Sequence, residues 1–410
     1  MIRFDVPYGG GRLAFSLPEA CVRQARGRPD TPRRPSEEDR LRLAHGIGEA
    51  RTLLVVVNDA YRPTPTQKLL EPFAPELSRC GEVRIVIATG MHPAPAREEI
   101  DRLLGDWGRR HSVHVHDDRS ACTDFGCLRD GSRLELNSLL AWPEKILLVG
   151  SVEPHFFAGF TGGPKQILPG LASRACTEAN HRHATHPLCR PLQLEGNPVA
   201  MGIREAGERF AARLLSIQAV QGSAGWEPFC GEEPATFQAA SRRARAVTER
   251  TWDEPLDGLV AVLGPPLDRN LYQLQKGFEN HLAAVKDGGW VLLVSACADG
   301  VGNDFFGRLA ASFPDRRRLP AWGTQRYSLG LHKLYRTAAA RERCELFLYS
   351  QLPAGVVESV YLEPVDDLQS WLDRRVGRSQ AVGVVEPADR LVSTVSRPQT
   401  RDNVKGAADG

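Results

Sequence analysis

Lysine is scarce in this 410-residue chain, which has seven lysines among 52 basic residues. Arginine therefore serves wherever a positive charge suffices, and each remaining lysine is a candidate for amine chemistry that arginine cannot perform. CxxC pairs are also lacking, because the nine cysteines are scattered along the chain. This excludes a zinc knuckle or a disulfide framework, and it predicts a reducing cytoplasm as the location.

An excess of charge of one sign and long apolar runs are missing as well. The formal net charge is +2, and no uninterrupted apolar stretch is long enough to span a bilayer. The balanced charge excludes a strong electrostatic surface for nucleic acid. We therefore expect neither a nucleic-acid nor a membrane partner, and no export by a standard signal peptide.

The sequence does contain short apolar runs that alternate with segments suited to helices, such as residues 97–104. In the first half of the chain these runs lie at residues 52–57, 83–88, 112–116 and 145–149, and in the second half at 258–263, 290–295 and 345–349. Such alternation predicts α/β domains with largely parallel sheets. Because the length exceeds what one core usually holds, we expect two domains, at residues 1–252 and 253–410.

Polar residues directly follow three of the predicted strands. Asp59 and Arg62 follow the first run, His92 follows the second, and His155 follows the fourth. Ligands bind beyond the carboxyl ends of parallel strands. We therefore expect these side chains to meet at one edge of the sheet.

The segment SVEPHFFAGFTGGPK, residues 151–165, places Lys165 in a glycine-bounded loop ten residues after His155. It is not a Walker phosphate loop, because the Gly-Lys-Ser/Thr sequence is missing. A turn with a surface lysine remains the alternative. His181 lies sixteen residues further on; it is either a structural histidine or a metal ligand, and imidazole suits nickel.

Four segments, in order, resemble the nickel-dependent lactate racemase family. They are NDAYRPTP at 58–65, similar to the family's DxTRPTP turn; ATGMH at 88–92, similar to ATGxH; HFFAGFTGGPK at 155–165 with His181, similar to HxFAGFxGGxK...NxxH; and YQLQK at 272–276, similar to YQxxK. The resemblance implies two α/β domains with the active site in the cleft between them. It also implies a racemase or epimerase of a small 2-hydroxy acid that works by reversible hydride transfer.

The resemblance assigns a cofactor as well. In the family, the lysine matching Lys165 is covalently bound to a pyridinium-3-thioamide-5-thiocarboxylic acid mononucleotide that holds nickel, and His181 matches the nickel ligand. The further positions implied to bind this nickel pincer nucleotide are Asp59, Thr64, Gly162 and Gly163. Accessory proteins for cofactor synthesis and nickel insertion are then implied as partners.

The resemblance gives the substrate two histidines, His92 and His155, as bases on opposite sides. The residues implied to bind the substrate are Arg62, Tyr272, Gln273 and Lys276, with Arg62 and Lys276 on its carboxylate. We also expect a helix to bring Gln273 and Lys276 together. A simple salt bridge is the alternative for Arg62.

The chain departs from the family pattern at two places near the predicted substrate. Tyr61 stands where the family turn has a small threonine. The family's pocket aromatic has two candidate counterparts, Trp322 and Tyr327. These departures predict a preferred acid other than lactate.

Other interpretations of the same residues stay open. A hydrolase or lyase would use a plain divalent metal at His155, His181 and a carboxylate, and a non-catalytic carrier would hold nickel or the cofactor without turnover. Separately, His114, His116 and Asp118 have a spacing at which a strand could bind zinc, with an ordinary strand edge as the alternative.

Overall fold

The computed structural model describes residues 1–28, 30–32, 36–265, 267–322, 327–328 and 330–396. The chain divides into two compact units. The first unit comprises Arg28–Thr248 and Ala321–His332, and the second comprises Met1–Gly27, Glu249–Pro320 and the chain from Lys333 onward. The sequence predicted one boundary between residues 252 and 253, whereas in the structure each unit also contains a segment from the other part of the sequence.

In chain order the strands are β1 (Ile2–Tyr8), β2 (Gly11–Leu17), β3 (Val22–Arg23), β4 (Arg26–Gly27), β5 (Thr52–Asn58), β6 (Glu82–Ala88), β7 (Ser112–Val115), β8 (Cys122–Cys127), β9 (Arg133–Asn137), β10 (Lys145–Ser151), β11 (Pro154–His155), β12 (Gly159–Phe160), β13 (Leu214–Gly222), β14 (Gly225–Glu232), β15 (Glu249–Trp252), β16 (Leu256–Val262), β17 (Val285–Val294), β18 (Glu345–Tyr349), β19 (Glu363–Val365), β20 (Val382–Val385) and β21 (Val392–Val395). The α-helices are α1 (Glu37–Gly48), α2 (Thr66–Leu70), α3 (Ala74–Arg79), α4 (Arg97–Leu104), α5 (Trp107–Arg110), α6 (Arg174–His181), α7 (Pro198–Glu208), α8 (Ala235–Thr248), α9 (Gln275–Glu279), α10 (Asp304–Ser312), α11 (Leu331–Arg341), α12 (Ala354–Ser359) and α13 (Leu368–Arg375).

The first unit is built on a six-stranded sheet in the order β14-β13-β10-β5-β6-β7. All neighbouring pairs are parallel except β13 and β14. Successive residues of β5 point to opposite faces, so that Leu54 and Val56 enter one core cluster while Leu53 and Val55 enter another. Burial on both faces explains why this strand is a continuous apolar run.

The second unit has its own parallel six-stranded sheet, in the order β19-β18-β17-β16-β20-β3. Strand β3 joins it because Val22 and Arg23 pair with Val382 and Gly383. A three-stranded sheet, β21-β15-β4, lies in the same unit. The N-terminal residues therefore belong with the second unit because their backbone completes its sheets.

The predicted fold class is confirmed, since both units contain large parallel sheets with helices between the strands. One local prediction was wrong. The helix expected to hold Gln273 and Lys276 begins only at Gln275. Asn270 is the reason, because its side-chain Oδ1 accepts a hydrogen bond from the Gln273 backbone N–H at 3.1 Å and forms a turn before the helix.

All nine cysteines are free thiols. None of the helices in the described part of the chain combines the length and the apolar character needed to cross a bilayer.

Candidate active site

The turns after β5 and β6 are joined by a contact between Asp59 and His92. Asp59 Oδ2 lies 2.7 Å from His92 Nδ1. The carboxylate is buried, while the imidazole is half-exposed. A carboxylate accepts at this distance, so Nδ1 of His92 carries a proton and the neutral ring keeps its lone pair on Nε2. Asp59, expected near the cofactor, here orients a predicted catalytic base.

Tyr61 packs directly on the same imidazole. Its ring centroid lies 4.4 Å from that of His92, with the planes 37° apart. The tyrosine is 61 % exposed. A residue that departs from the family pattern is therefore in contact with a predicted catalytic residue.

Arg62 forms an ion pair with Glu153, with 3.7 Å between Nη1 and Oε2. Both side chains are partly buried, so the pair is less screened than a surface one. The salt bridge considered as the alternative for Arg62 is thus present. A substrate carboxylate bound by Arg62 would therefore share its guanidinium group with the Glu153 carboxylate.

Thr64 ties the end of β5 to the end of β10. Its hydroxyl accepts from Asn58 Nδ2 and donates to Ser151 Oγ, each at 2.9 Å. These protein contacts engage the hydroxyl that was predicted to contact the cofactor. Its contact with a nucleotide stays a prediction.

His155 lies in a short hairpin whose strands, β11 and β12, have two residues each, and it pairs with Gly159. The imidazole is buried, and its Nδ1 accepts a hydrogen bond from the Ala158 backbone N–H at 3.2 Å. The neutral ring therefore carries its proton on Nε2. Phe156 and Phe157 pack against it, with ring centroids at 5.1 and 4.5 Å.

Asn197 fixes the backbone beside His155. Its Nδ2 donates to the carbonyls of Phe157 and Gln193 at 2.8 and 2.9 Å. Its Oδ1 accepts from the Ala200 backbone N–H at 3.2 Å and from Cys189 Sγ at 3.1 Å. One fully buried amide thus caps the start of α7 and holds the Phe157 carbonyl.

The loop that carries Lys165 requires glycine at two positions. Gly162 has φ +82° and Gly163 has φ +52°. A Cβ at either one would lie 2.6 Å from its nearest neighbour, Gln218 Oε1 or the Phe237 ring. The Gly163 N–H donates to Gln218 Oε1 at 3.0 Å, so this amide is already used inside the protein. The glycines therefore serve close packing under the lysine, and a role toward a nucleotide stays a prediction.

Two buried amides connect this loop to the sheet. Gln166, next to Lys165, donates through Nε2 to the carbonyls of Val149 and Val56 at 2.9 and 3.2 Å. Its Oε1 accepts from Gln218 Nε2 at 3.2 Å. Because the bonds reach β5, β10 and β13, the backbone of Lys165 is held firmly at the sheet edge.

His181 is the last residue of α6, whose first turn is capped by Ser173. Its side chain is buried, and its Nδ1 has no hydrogen-bond partner in the described part of the chain. Burial, and after it the charge of Lys165, lower the pKa of His181 to about 3. The imidazole is therefore neutral at any ordinary pH, as metal binding requires.

The two histidines that follow His181 have protein partners. His183 Nε2 lies 3.1 Å from Asp130 Oδ2, and His186 Nδ1 accepts from the Leu188 N–H at 3.2 Å. Neither has an orphaned buried nitrogen like that of His181. The chemistry of the donors thus agrees with the choice of His181.

Among the residues that the structure describes, no three His, Cys, Asp or Glu side chains lie close enough to hold a metal ion. A metal at His181 would need ligands from elsewhere, which fits a cofactor with its own donor atoms better than a site made of His155, His181 and a carboxylate. The zinc site considered at His116 is not formed. Both of its ring nitrogens are engaged, by the Ala172 carbonyl and by Asn137.

A further buried histidine, His332, lies beside His181 and was not identified from the sequence. Its ring centroid is 6.3 Å from that of His181, and Phe157 packs edge-on against both rings. Its Nδ1 lies 2.6 Å from the Tyr327 hydroxyl, and Tyr327 is itself buried. No local motif marks His332, and only its position five residues after a candidate pocket aromatic could have drawn attention to it.

In the second unit, Tyr272 of the YQxxK segment is bound by Lys333. The Lys333 amine donates to the Tyr272 carbonyl at 2.8 Å and lies 4.2 Å from the centre of its ring. Burial, and after it the charge of Lys276, lower the pKa of Lys333 to about 7. Burial raises the pKa of Tyr272 to about 12, so its phenol stays neutral.

The chain resembles proteins of known activity over most of its length. The lactate racemase N-terminal domain model matches residues 33–189, and the lactate racemase C-terminal domain model matches 259–320. The lactate racemase of Thermoanaerobacterium thermosaccharolyticum is 32 % identical over 332 residues, which cover 75 % of this chain and 78 % of that protein. The lactate racemase of Lactiplantibacillus plantarum is 28 % identical over 270 residues, 62 % of each chain.

Solved structures agree with these sequence matches. The lactate racemase apoprotein from T. thermosaccharolyticum superimposes with a TM-score of 0.84 at 25 % identity, covering 96 % of this chain and all of that one. A Thermotoga maritima protein shares the fold, with a TM-score of 0.62 at 16 % identity over 89 % of this chain and all of that one. The predicted resemblance is therefore confirmed: the chain belongs to the lactate racemase family and is an isomerase of the racemase class.

Proposed function

We propose that this protein is a lactate racemase-like enzyme that interconverts the stereoisomers of a small 2-hydroxy acid. The observation that carries the proposal is that the hydrogen bonds of two histidines favour opposite neutral tautomers. His92 presents a lone pair at Nε2 because Asp59 binds its Nδ1. His155 carries its proton on Nε2 because the Ala158 N–H occupies its Nδ1.

Racemisation of a hydroxy acid needs such a pair. The hydroxyl proton must leave from one side of the substrate, and a proton must return on the other when the product forms. In one direction His92 accepts the hydroxyl proton through Nε2 and His155 donates from Nε2. The reverse direction exchanges these roles.

Lys165 and His181 are the residues proposed to hold the nickel pincer nucleotide, with Lys165 as the covalent tether and His181 as the nickel ligand. When bound, this group would supply an electron-poor ring able to accept the Cα hydrogen as hydride. The fit rests on the orphaned nitrogen of His181 and on the rigidly held backbone of Lys165.

The substrate carboxylate is proposed to bind Arg62 and Lys276, with Tyr272 and Gln273 as further substrate contacts. Glu153 limits the freedom of Arg62 and orients it. That the site occupies an interdomain cleft stays a prediction. Cofactor-synthesis and nickel-insertion proteins as partners, and a cytoplasmic location, likewise remain part of the proposal.

Tyr61 is the reason to propose an acid other than lactate as the preferred substrate. Its ring lies against His92 and takes more volume than the threonine of the family turn. A single methylene group in a pocket discriminates by only roughly 1–3 kcal/mol, so weaker turnover of lactate is expected to persist.

The tether is tested by intact mass of protein purified from its native host. The wild type should carry a covalent increment, and Lys165→Arg should not, since arginine keeps the charge but lacks an acylatable amine. Lys145→Arg is the matched control, because the Lys145 amine donates to the Ala212 carbonyl. An unchanged increment in Lys165→Arg would place the tether elsewhere, and an increment without racemase activity in the wild type would favour the carrier.

Nickel content tests the metal ligand. His181→Ala should lose nickel, whereas His183→Ala should keep it, because His183 is engaged with Asp130. Equal nickel retention in the two variants would reject His181 as the ligand.

A further inference from the structure

We propose that Tyr327 and His332 form a positioning pair that fixes the orientation of His181. The inference rests on the proposed nickel site, and it assigns a role to two residues that none of the four family-like segments contains. A ligating histidine is normally oriented by a hydrogen bond from its second ring nitrogen. Within the described residues neither ring nitrogen of His181 forms a hydrogen bond, so whichever one binds nickel, the other has no orienting partner.

Ring packing takes the place of that hydrogen bond. Phe157 meets His181 edge-on, with centroids 5.0 Å apart and planes at 75°. His332 faces His181 at 6.3 Å and 87°, and it meets Phe157 at 5.2 Å and 74°. The three rings are mutually near-perpendicular, so rotation of the His181 ring would press on one of the other two.

His332 can restrict rotation of the His181 ring only if its own ring is fixed. Its Nδ1 lies 2.6 Å from the Tyr327 hydroxyl, and both side chains are at most 4 % exposed. Burying two polar groups is unfavourable unless they satisfy each other. Their hydrogen bond therefore fixes the orientation of the His332 ring against Phe157 and His181.

A second contact places this segment at the C-terminal end of α6. Trp322 donates through Nε1 to the carbonyl of Arg182, the residue after His181, at 3.1 Å. Its ring also packs on Tyr327 at 6.0 Å. The segment thus contacts the backbone next to His181 through Trp322 and the His181 ring through His332.

The experiment compares nickel release from the loaded enzyme during a challenge with a chelator. Tyr327→Phe removes one hydroxyl and His332→Phe keeps a ring of similar size, so each breaks the pair with little loss of packing. Disturbing the groups that orient a metal ligand weakens metal binding by roughly 10–100-fold. We expect both variants to release nickel about tenfold faster or more, with the Lys165 mass increment retained.

The matched control is Tyr361→Phe, which also removes a bonded hydroxyl, one that donates to the Phe313 carbonyl at 2.7 Å in the second unit. It should release nickel at the wild-type rate. If the two residues act through their shared hydrogen bond, the Tyr327→Phe/His332→Phe double variant should release nickel no faster than the more affected single variant.

Wild-type release rates in both single variants, or an equal increase in Tyr361→Phe, would overturn the inference while leaving the proposed function in place. So would effects that simply multiply in the double variant. Unchanged nickel release in His181→Ala would overturn the inference together with the metal assignment on which it rests.

Discussion

Gln218 is the residue whose replacement tests how the lysine loop is held. Its side chain is fully buried on β13. Its Oε1 accepts from the Gly163 N–H at 3.0 Å, and its Nε2 donates to Gln166 Oε1 at 3.2 Å. Gln218→Leu preserves most of the volume but removes both the acceptor and the donor.

The substitution would leave two buried polar groups without a partner, the Gly163 N–H and Gln166 Oε1. The Ser216 hydroxyl also loses its bond from Gln218 Nε2 but keeps one with Glu233. Each unsatisfied buried group costs about 1–3 kcal/mol, so the free energy of unfolding should fall by about 2–6 kcal/mol. The freed loop should also place Lys165 less well, so that a smaller fraction of the protein carries the proposed adduct.

Urea unfolding measures the first effect and intact mass the second. Gln221→Leu is the matched control, since it is the same change on the same strand at an exposed position. It should alter the free energy of unfolding by no more than about 0.5 kcal/mol. The reasoning fails if Gln218→Leu is no more destabilising than Gln221→Leu.

Three further changes test Asp59, the buried carboxyl group of Glu233, and Tyr61. Asp59→Asn should lower kcat by roughly 100- to 10,000-fold with little change in KM, because His92 loses the carboxylate that sets its tautomer; steady-state kinetics within threefold of wild type would contradict this. Burial raises the pKa of Glu233 from 4.5 to about 7, so the stability that its protonated form contributes is complete below pH 4.5 and is lost as pH rises through 7. Glu233→Gln should therefore gain up to about 3 kcal/mol over wild type between pH 5 and pH 8 in urea unfolding, and a pH-independent difference would refute the assignment. Tyr61→Thr should raise kcat/KM for lactate relative to larger 2-hydroxy acids in a substrate panel, and an unchanged ranking would separate Tyr61 from specificity.

The sheets could be predicted from the sequence because their strands are buried on both faces. The run at 52–57 became β5, and the segment 97–104 became α4 with the predicted bounds. The antiparallel hairpin of β13 and β14 was not predicted. The long-range pairing of β3 with β20 was not predicted either, because it depends on residues more than 350 positions apart, which leave no local periodicity.

The features of the site were likewise only partly predictable from the sequence. That Asp59 and His92 follow two strands and lie at the same edge of the sheet was expected from the chain pattern, but their direct contact was not, because it depends on the conformations of two turns. His332 could not be identified from the sequence for a related reason. Apart from Tyr327, the rings that pack against it come from residues 156 to 181, far away in sequence.

The environment of Asn197 bears on the resistance of this protein to deamidation. All four hydrogen-bonding positions of its amide are occupied, so conversion to aspartate would replace two donors with acceptors facing the Phe157 and Gln193 carbonyls. Spontaneous deamidation proceeds when the next backbone nitrogen attacks the side-chain carbonyl. That nitrogen belongs to Pro198, which has no N–H and cannot close the ring. The residue that starts α7 thus also shields the amide beside His155 from its commonest chemical decay.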